Sequence, residues 1–121
     1  MAGKHIFVEQ WKCKDAWLAL PVDQRRDFAK AVEQASGAMQ AHGIRSLGWG
    51  VPAPSIDHPA TTYGFWAVWE MESGEGVQAF MQGVAASGWY DFFEQENTAG
   101  VAQTPSAVLE LLVNAGHEGA R

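Results

Sequence analysis

The segment TYGFWAVWEM (residues 62–71) is the most informative part of the sequence, because its aromatic and branched residues alternate as they do in a β-strand. The alternation places two sets of side chains on opposite faces: Tyr63, Phe65, Ala67, Trp69 and Met71 on one, and Gly64, Trp66, Val68 and Glu70 on the other. An antiparallel sheet can leave one polar face in water. A strand with indoles on both faces predicts a sheet that is covered on both sides.

The sequence on either side of this strand predicts the other elements of one α+β domain. Strands are expected over 5–13, over 44–51 and within 89–100, helices over 22–41, 74–87 and 104–116, and a helical turn over 15–20. Gly43 is expected to cap the first long helix, Ser73 and Thr104 to begin the other two. The order is the ferredoxin-like βαββαβ arrangement plus a C-terminal helix. Right-handed crossovers then place the first strand between the third and the fourth.

Alternation also assigns faces in the first two strands. Phe7, Glu9 and Trp11 share one face of the first strand. In the second strand, Leu47 and Trp49 are expected on one face, and Ser46, Gly48 and Gly50 on the other. Glycines inside a strand often mark the close approach of a ligand or another backbone. We therefore interpret Gly48 and Gly50 as candidate ligand-binding positions.

Composition and charge limit the classes of function. Of 121 residues, 47% are hydrophobic and six are Trp, so the indoles are expected in a core, a pocket or a subunit interface. Segment 1–45 has seven basic and five acidic residues, whereas 46–120 has nine acidic residues and no Lys or Arg. Phosphate backbones need cations, so nucleic-acid binding is not expected. One domain over 1–115 and a flexible tail over 116–121 are expected.

The element order and the runs FWAVWEMESGEGVQAF (65–80) and SGWYDFFEQ (87–95) resemble the dimeric α/β-barrel superfamily. Its ferredoxin-like subunits pair sheet to sheet into a barrel. It includes antibiotic-biosynthesis monooxygenases, muconolactone isomerases, polyketide cyclases, haem-degrading monooxygenases and stress-responsive barrel proteins. Within this superfamily, the chain resembles small bacterial members of unknown function that have a similar aromatic third strand.

The resemblance covers roughly 5–100 and implies a homodimer with a pocket between sheet and helices or inside the barrel. The haem-degrading members use a His of the second helix, and this chain has no His in 74–88. Haem degradation is therefore not expected, and we expect no cofactor.

Three residues are candidates for proton transfer. Glu9 lies between Phe7 and Trp11, where desolvation would raise its pKa and suit it to a general base. The alternative is a Glu paired with Lys or Arg at the end of the strand. His58, in the loop before the third strand, ranks second, and is otherwise an ordinary loop residue. Tyr63 ranks third. The four His show no metal-ligand spacing and the one Cys allows no multi-Cys zinc site, so no metal is expected.

The candidate ligand-binding residues are aromatic, small or amide-bearing: Trp11, Gly48, Gly50, Trp66, Trp69 and Asn97. For the indoles, packing in the core is the alternative role. The polar fourth strand, with Glu94, Gln95 and Asn97, is either a solvated edge or a source of polar groups for the pocket. Arg45 is either a carboxylate clamp or part of a salt bridge.

Two hypotheses about function follow. The first is an enzyme without an organic cofactor, an isomerase, cyclase or monooxygenase that transfers protons on a small apolar or aromatic molecule. The second is a non-catalytic homodimer that binds a small ligand or acts in assembly. No apolar run is long enough to cross a bilayer and no signal peptide is evident, so a cytoplasmic protein without membrane contact is expected.

Overall fold

A computed structural model describes residues 3–54 and 61–116. Its four strands are β1 (His5–Cys13), β2 (Ile44–Gly50), β3 (Phe65–Met71) and β4 (Phe93–Val101). They form one antiparallel sheet in the order β2-β3-β1-β4. The prediction that the first strand lies between the third and the fourth is confirmed, and the fold is the ferredoxin-like α+β arrangement.

The helices begin and end close to the predicted residues. They are α1 (Asp15–Leu18), α2 (Val22–Ala38) with a 3₁₀ helix (Met39–His42), α3 (Gly74–Ala86), α4 (Trp89–Phe92) and α5 (Pro105–Val113). Gly43 ends the 3₁₀ helix at a φ of 74°. The Ser73 hydroxyl accepts a hydrogen bond from the Gly76 N–H at 3.1 Å, and that of Thr104 from the Ala107 N–H at 3.2 Å. Both predicted N-caps are therefore confirmed.

Several boundaries differ from the sequence prediction, and α5, for example, ends at Val113 rather than at residue 116. The third strand begins at Phe65 rather than at residue 62, because its pairing with β1 ends at Trp11. The first long helix tightens into the 3₁₀ helix over its last turn. Residues 89–92 form the short helix α4 instead of a turn, after Gly88 in the left-handed conformation at φ 86°.

The core lies on the face of the sheet that the helices cover. Phe7, Trp69 and Met71 are at most 2% exposed there. The Phe80 ring of α3 packs 5.0 Å from that of Phe7 and 4.9 Å from that of Trp69. The alternation predicted for β1 and β3 is confirmed, since Glu9 and Trp11 are buried on this same face.

The face assignment predicted for β2 is correct for Trp49, Gly48 and Gly50 and wrong for Ser46. Ser46 lies opposite Trp69, but Gly48 lies opposite Val68, so Leu47 is an extra residue in the ladder. Such a bulge places two residues against one and reverses the alternation beyond it. Ser46 therefore shares the helix-covered face with Trp49, and Gly48 and Gly50 lie on the other face. Alternation alone cannot show where a strand contains an extra residue.

The second face of the sheet, here called the open face, carries Ile6, Val8, Trp66 and Val68 among polar neighbours. These four side chains are half-buried. Every residue of α5 is exposed, with five large apolar side chains, Val108, Leu109, Leu111, Leu112 and Val113, between 49% and 74% accessible. No helix among the described residues is long and apolar enough to cross a membrane. The predicted tail lies outside the described residues from position 117 onward.

Candidate functional site

A cleft of about 330 Å³ lies between the helix-covered face of the sheet and helices α2 and α3. Its sheet side includes Glu9 and Trp69, and its α3 side includes Phe80. Helix α2 has no fully buried residue and contributes mostly small side chains such as Ala31 and Ala35. Small side chains leave space between helix and sheet. Because Ala31 and Ala35 are exposed, solvent reaches this cleft.

A second cavity of about 430 Å³ adjoins the cleft. It is lined by Trp17 and Phe93 and, on α2, by the exposed residue Glu33. The two cavities share five lining residues: Phe28, Val32, Ser36, Trp49 and Trp89. They are therefore two parts of one aromatic site, within the size range of pockets that hold small organic molecules.

Glu9 is the buried polar side chain of the core, at 4% exposure. Its Oε2 accepts a hydrogen bond from Trp69 Nε1 at 2.9 Å, and its Oε1 accepts one from Gln95 Nε2 at 3.0 Å. The described residues place no Lys, Arg or His within ion-pair distance of this carboxyl group. The predicted alternative, a pair with a cation at the end of the strand, is therefore not found among them.

Burial raises the pKa of Glu9 above its ordinary value of 4.5, because desolvation disfavours the ionised form. The hydrogen bonds from Trp69 and Gln95 favour the carboxylate and offset part of this effect. A carboxylate oxygen accepts more than one hydrogen bond. Glu9 can therefore exchange a proton with a bound molecule or act as its counter-charge while both protein contacts persist.

Gln95 of β4 extends this polar network. Its Oε1 accepts a hydrogen bond from Trp89 Nε1 at 2.6 Å, and its Nε2 donates to Asn97 Oδ1 at 2.8 Å as well as to Glu9. Sequence reasoning selected Asn97 as the ligand-binding residue of this strand. Gln95 was the stronger candidate, since it lies opposite Trp11 and diagonal to Glu9 on the helix-covered face. The sequence contains no signal that separates Gln95 from Asn97, because the packing of β4 on β1 decides which amide reaches Glu9.

The remaining candidates divide between the two faces of the sheet. Trp69 lines the cleft directly. Trp11 is 5% exposed and packs against two indoles that line the cleft. Its ring centroid lies 5.5 Å from that of Trp49 and 5.3 Å from that of Trp89. Asn97 lies opposite Glu9 but is exposed. The structure thus brings Glu9, Trp11, Trp69 and Asn97 together.

Trp66, Gly48 and Gly50 lie together on the open face, away from the cleft. A Cβ atom at Gly50 would come 2.7 Å from Trp66 Cζ2, and one at Gly48 would come 3.7 Å from Trp66 Cζ3. The Trp66 indole therefore lies over the backbone of β2, which accounts for the absence of a side chain at Gly50.

No described contact brings Tyr63 to the cleft. Tyr63 precedes β3, and its ring lies 5.4 Å from Lys12 Nζ. His58 lies outside the described residues. Arg45 donates to Glu70 Oε1 at 2.7 Å, so the salt-bridge alternative for Arg45 is confirmed. In residues 3–54 and 61–116, no three His, Cys, Asp or Glu side chains form a group that could hold a metal.

Comparison with protein families gives one assignment. A family described as a family of unknown function, DUF6616, matches residues 4–115. The chain belongs to this family. No curated protein sequence matches the chain.

Two solved structures share the fold. One is a mutant chlorite dismutase from Candidatus Nitrospira defluvii, with a TM-score of 0.67 and 14% identity over 100% of this chain and 52% of the other. The chain therefore spans about half the length of that enzyme. The other is a dimeric protein of unknown function and ferredoxin-like fold from Bacteroides fragilis NCTC 9343, with a TM-score of 0.51 and 17% identity over 83% of this chain and 97% of the other. At these identities the likeness concerns the fold.

Proposed function

We propose that this DUF6616 protein binds a small, largely apolar or aromatic molecule in the cleft between its sheet and α2. The observation that carries the proposal is a carboxyl group, Glu9, held by two hydrogen bonds at the base of an indole-lined cleft of about 330 Å³. Ligand sites combine an apolar wall with a few placed polar groups in this way. The small side chains of α2 keep the space open.

The chemistry of the lining argues against a small anion as the ligand. Chlorite, after which the enzyme from Candidatus Nitrospira defluvii is named, is such an anion. The described residues that line the two cavities include Glu9 and Glu33 and no Lys, Arg or His. An anion placed here would face carboxyl groups instead of cations. The likeness to that enzyme therefore supports the fold and not its substrate.

The experiment is a binding measurement with a variant that fills the cleft. Ala35→Phe places a ring in the cleft, whereas Ala38→Phe places the same ring on an exposed position of α2 that does not line it. Small aromatic molecules are titrated while Trp fluorescence and heat are recorded. We expect binding by the wild type and by Ala38→Phe, and its loss in Ala35→Phe. Equal binding by both variants would contradict a site in the cleft.

A second candidate function is proton transfer, favoured by the burial of Glu9 and the resulting rise in its pKa. In this hypothesis the protein is an enzyme without an organic cofactor, an isomerase, cyclase or monooxygenase that uses Glu9 as its base. Deuterium incorporation into an enolisable aromatic ketone such as phenylacetone, followed by NMR in D₂O, tests it. Glu9→Gln should lower any protein-catalysed exchange by about 10²–10⁴. If His58→Ala abolishes the exchange while Glu9→Gln remains active, the base is His58. Tyr63→Phe tests the third candidate in the same assay.

We further propose that two copies pair through their open faces into a dimeric α/β barrel. The half-buried apolar side chains of Ile6, Val8, Trp66 and Val68 support this arrangement, since a second sheet would cover them. The exposed apolar side chains of α5 are a further surface that a partner would cover. The dimeric protein from Bacteroides fragilis has the same fold. We also propose that the chain is related to the antibiotic-biosynthesis monooxygenases and muconolactone isomerases. A single domain over 1–115 and a cytoplasmic location stay predictions.

A further inference from the structure

We infer that the ligand of the cleft is an organic cation, a protonated amine or quaternary ammonium group on an apolar body. The inference rests on the proposed binding function and adds the charge of the ligand to it. Three features of the site lead to this chemistry: an acid without a counter-ion, walls of indole rings, and a lining without basic side chains.

The first feature is the buried acid Glu9. Glu9 is 4% exposed, and its two hydrogen-bond donors, Trp69 Nε1 and Gln95 Nε2, are both neutral. A buried carboxylate is costly unless a positive charge is close to it. No described Lys, Arg or His supplies this charge. A cationic ligand would supply it, and binding would then stabilise the ionised form of Glu9.

The walls favour the same ligand. Trp49, Trp69 and Trp89 all line the cleft, and the rings of Trp49 and Trp69 are 5.7 Å apart between centroids. The N–H groups of Trp69 and Trp89 are already bonded to Glu9 and Gln95, so these two indoles present ring carbon to the cleft. The faces of aromatic rings attract cations, Trp most strongly. The described lining offers no basic side chain to an anion.

The charged groups that line the site also favour a cationic ligand. The titratable groups of the described lining are Glu9 on β1 and Glu33 on α2; β3, β4 and α3 contribute none. The formal net charge of the chain is −6. The ionised carboxylates of the lining and the net charge of the chain would both attract a cation and repel an anion. The adjoining cavity of about 430 Å³ offers room for the apolar body.

The test uses three probes of similar shape: 2-phenylethylammonium, 2-phenylethanol and 3-phenylpropanoate. Calorimetry at pH 7.5 should show the cation bound at least about tenfold more tightly than the alcohol, with no measurable binding of the anion. Glu9→Gln should lower the affinity for the cation by about tenfold or more and change the affinity for the alcohol by less than about threefold. Glu96→Gln, an exposed acid on the open face of β4, is the matched control and should change neither.

A second measurement avoids dependence on the folding of a variant. Benzyltrimethylammonium keeps its charge at every pH, so its affinity for the wild type reports the state of the protein. Its affinity should fall as the pH is lowered through the raised pKa of Glu9. Equal binding of cation and alcohol, with no effect of pH or of Glu9→Gln, overturns the inference and leaves the proposed binding function standing. Absence of binding by every probe overturns the proposed function, and the inference with it.

Discussion

Trp69 Nε1 donates a hydrogen bond of 2.9 Å to Oε2 of Glu9, and both side chains are buried on the helix-covered face of the sheet. The two residues lie on neighbouring strands, with Trp69 opposite Phe7 and Glu9 opposite Ala67. The contact is therefore diagonal across the ladder. The contact orients Glu9 and Trp69 toward the same cleft. Because it links two strands, the stability of the sheet depends on the ionisation state of Glu9.

The first expectation concerns how stability depends on pH. A carboxyl group with a pKa raised by folding stabilises the protein below its unfolded value, here 4.5, and this contribution is lost as the pH rises through the folded value. The free energy of unfolding of Glu9→Gln, relative to the wild type, should therefore increase as the pH rises above about 4.5. Urea unfolding from pH 4 to 8 measures this difference, and a difference independent of pH would contradict it.

Glu70→Gln is the contrasting variant for that experiment. The Arg45 guanidinium beside Glu70 holds the pKa of that carboxyl below its ordinary value. The wild-type ion pair therefore stabilises the fold above the unfolded pKa and is lost as the pH falls. Relative to the wild type, Glu70→Gln should become more stable toward low pH, opposite in direction to Glu9→Gln. The effect should be small and sensitive to salt because the pair is at the surface.

The second expectation concerns the packing of Trp66 over β2. Gly50→Ala places a Cβ atom 2.7 Å from the indole and should lower the free energy of unfolding by about 1–3 kcal/mol. Gly48→Ala meets the same ring at an ordinary 3.7 Å and should be tolerated. Adding Trp66→Leu should remove most of the difference between the two glycine variants. Equal melting temperatures for the two single variants would show that the indole moves aside.

The third expectation concerns Gln95. Gln95→Leu leaves Glu9 Oε1 and Trp89 Nε1 without their partners, and each unpaired buried group costs about 1–3 kcal/mol. Asn97→Ala removes only an exposed acceptor and should change stability by less than about 0.5 kcal/mol. The Gln95 variant should also raise the pKa of Glu9 further, because a bond that favours the carboxylate is lost. Chemical denaturation at several pH values measures both effects.

The fourth expectation concerns assembly. Sedimentation velocity at micromolar concentration should show a wild-type dimer, since a sheet interface of this kind is large and apolar. Val68→Lys on the open face and Leu112→Lys on α5 should each weaken it. Leu18→Lys, at an equally exposed apolar position of α1, should leave it intact. A wild type that is folded and monomeric at this concentration would contradict the proposed pairing.

Much of the fold could be predicted from local patterns. The alternation in 5–13 and 65–71 identified two strands and their buried faces, because the period of a strand is two wherever no residue is inserted. Ser73 and Thr104 marked helix starts because their hydroxyls complete hydrogen bonds with N–H groups three residues ahead. The acid in an aromatic setting, Glu9, was evident for the same reason: its neighbours Phe7 and Trp11 share its face.

Local sequence patterns thus specified the four strands, the long helices, their order and the buried acid Glu9. The packing of distant segments produced the bulge at Leu47, the placement of Gly50 under Trp66, and the pairing of Gln95 with Glu9. It also decided the cleft, which exists because the small side chains of α2 leave space above the sheet. These features depend on register and on distances between elements far apart in the chain, and a local pattern carries neither.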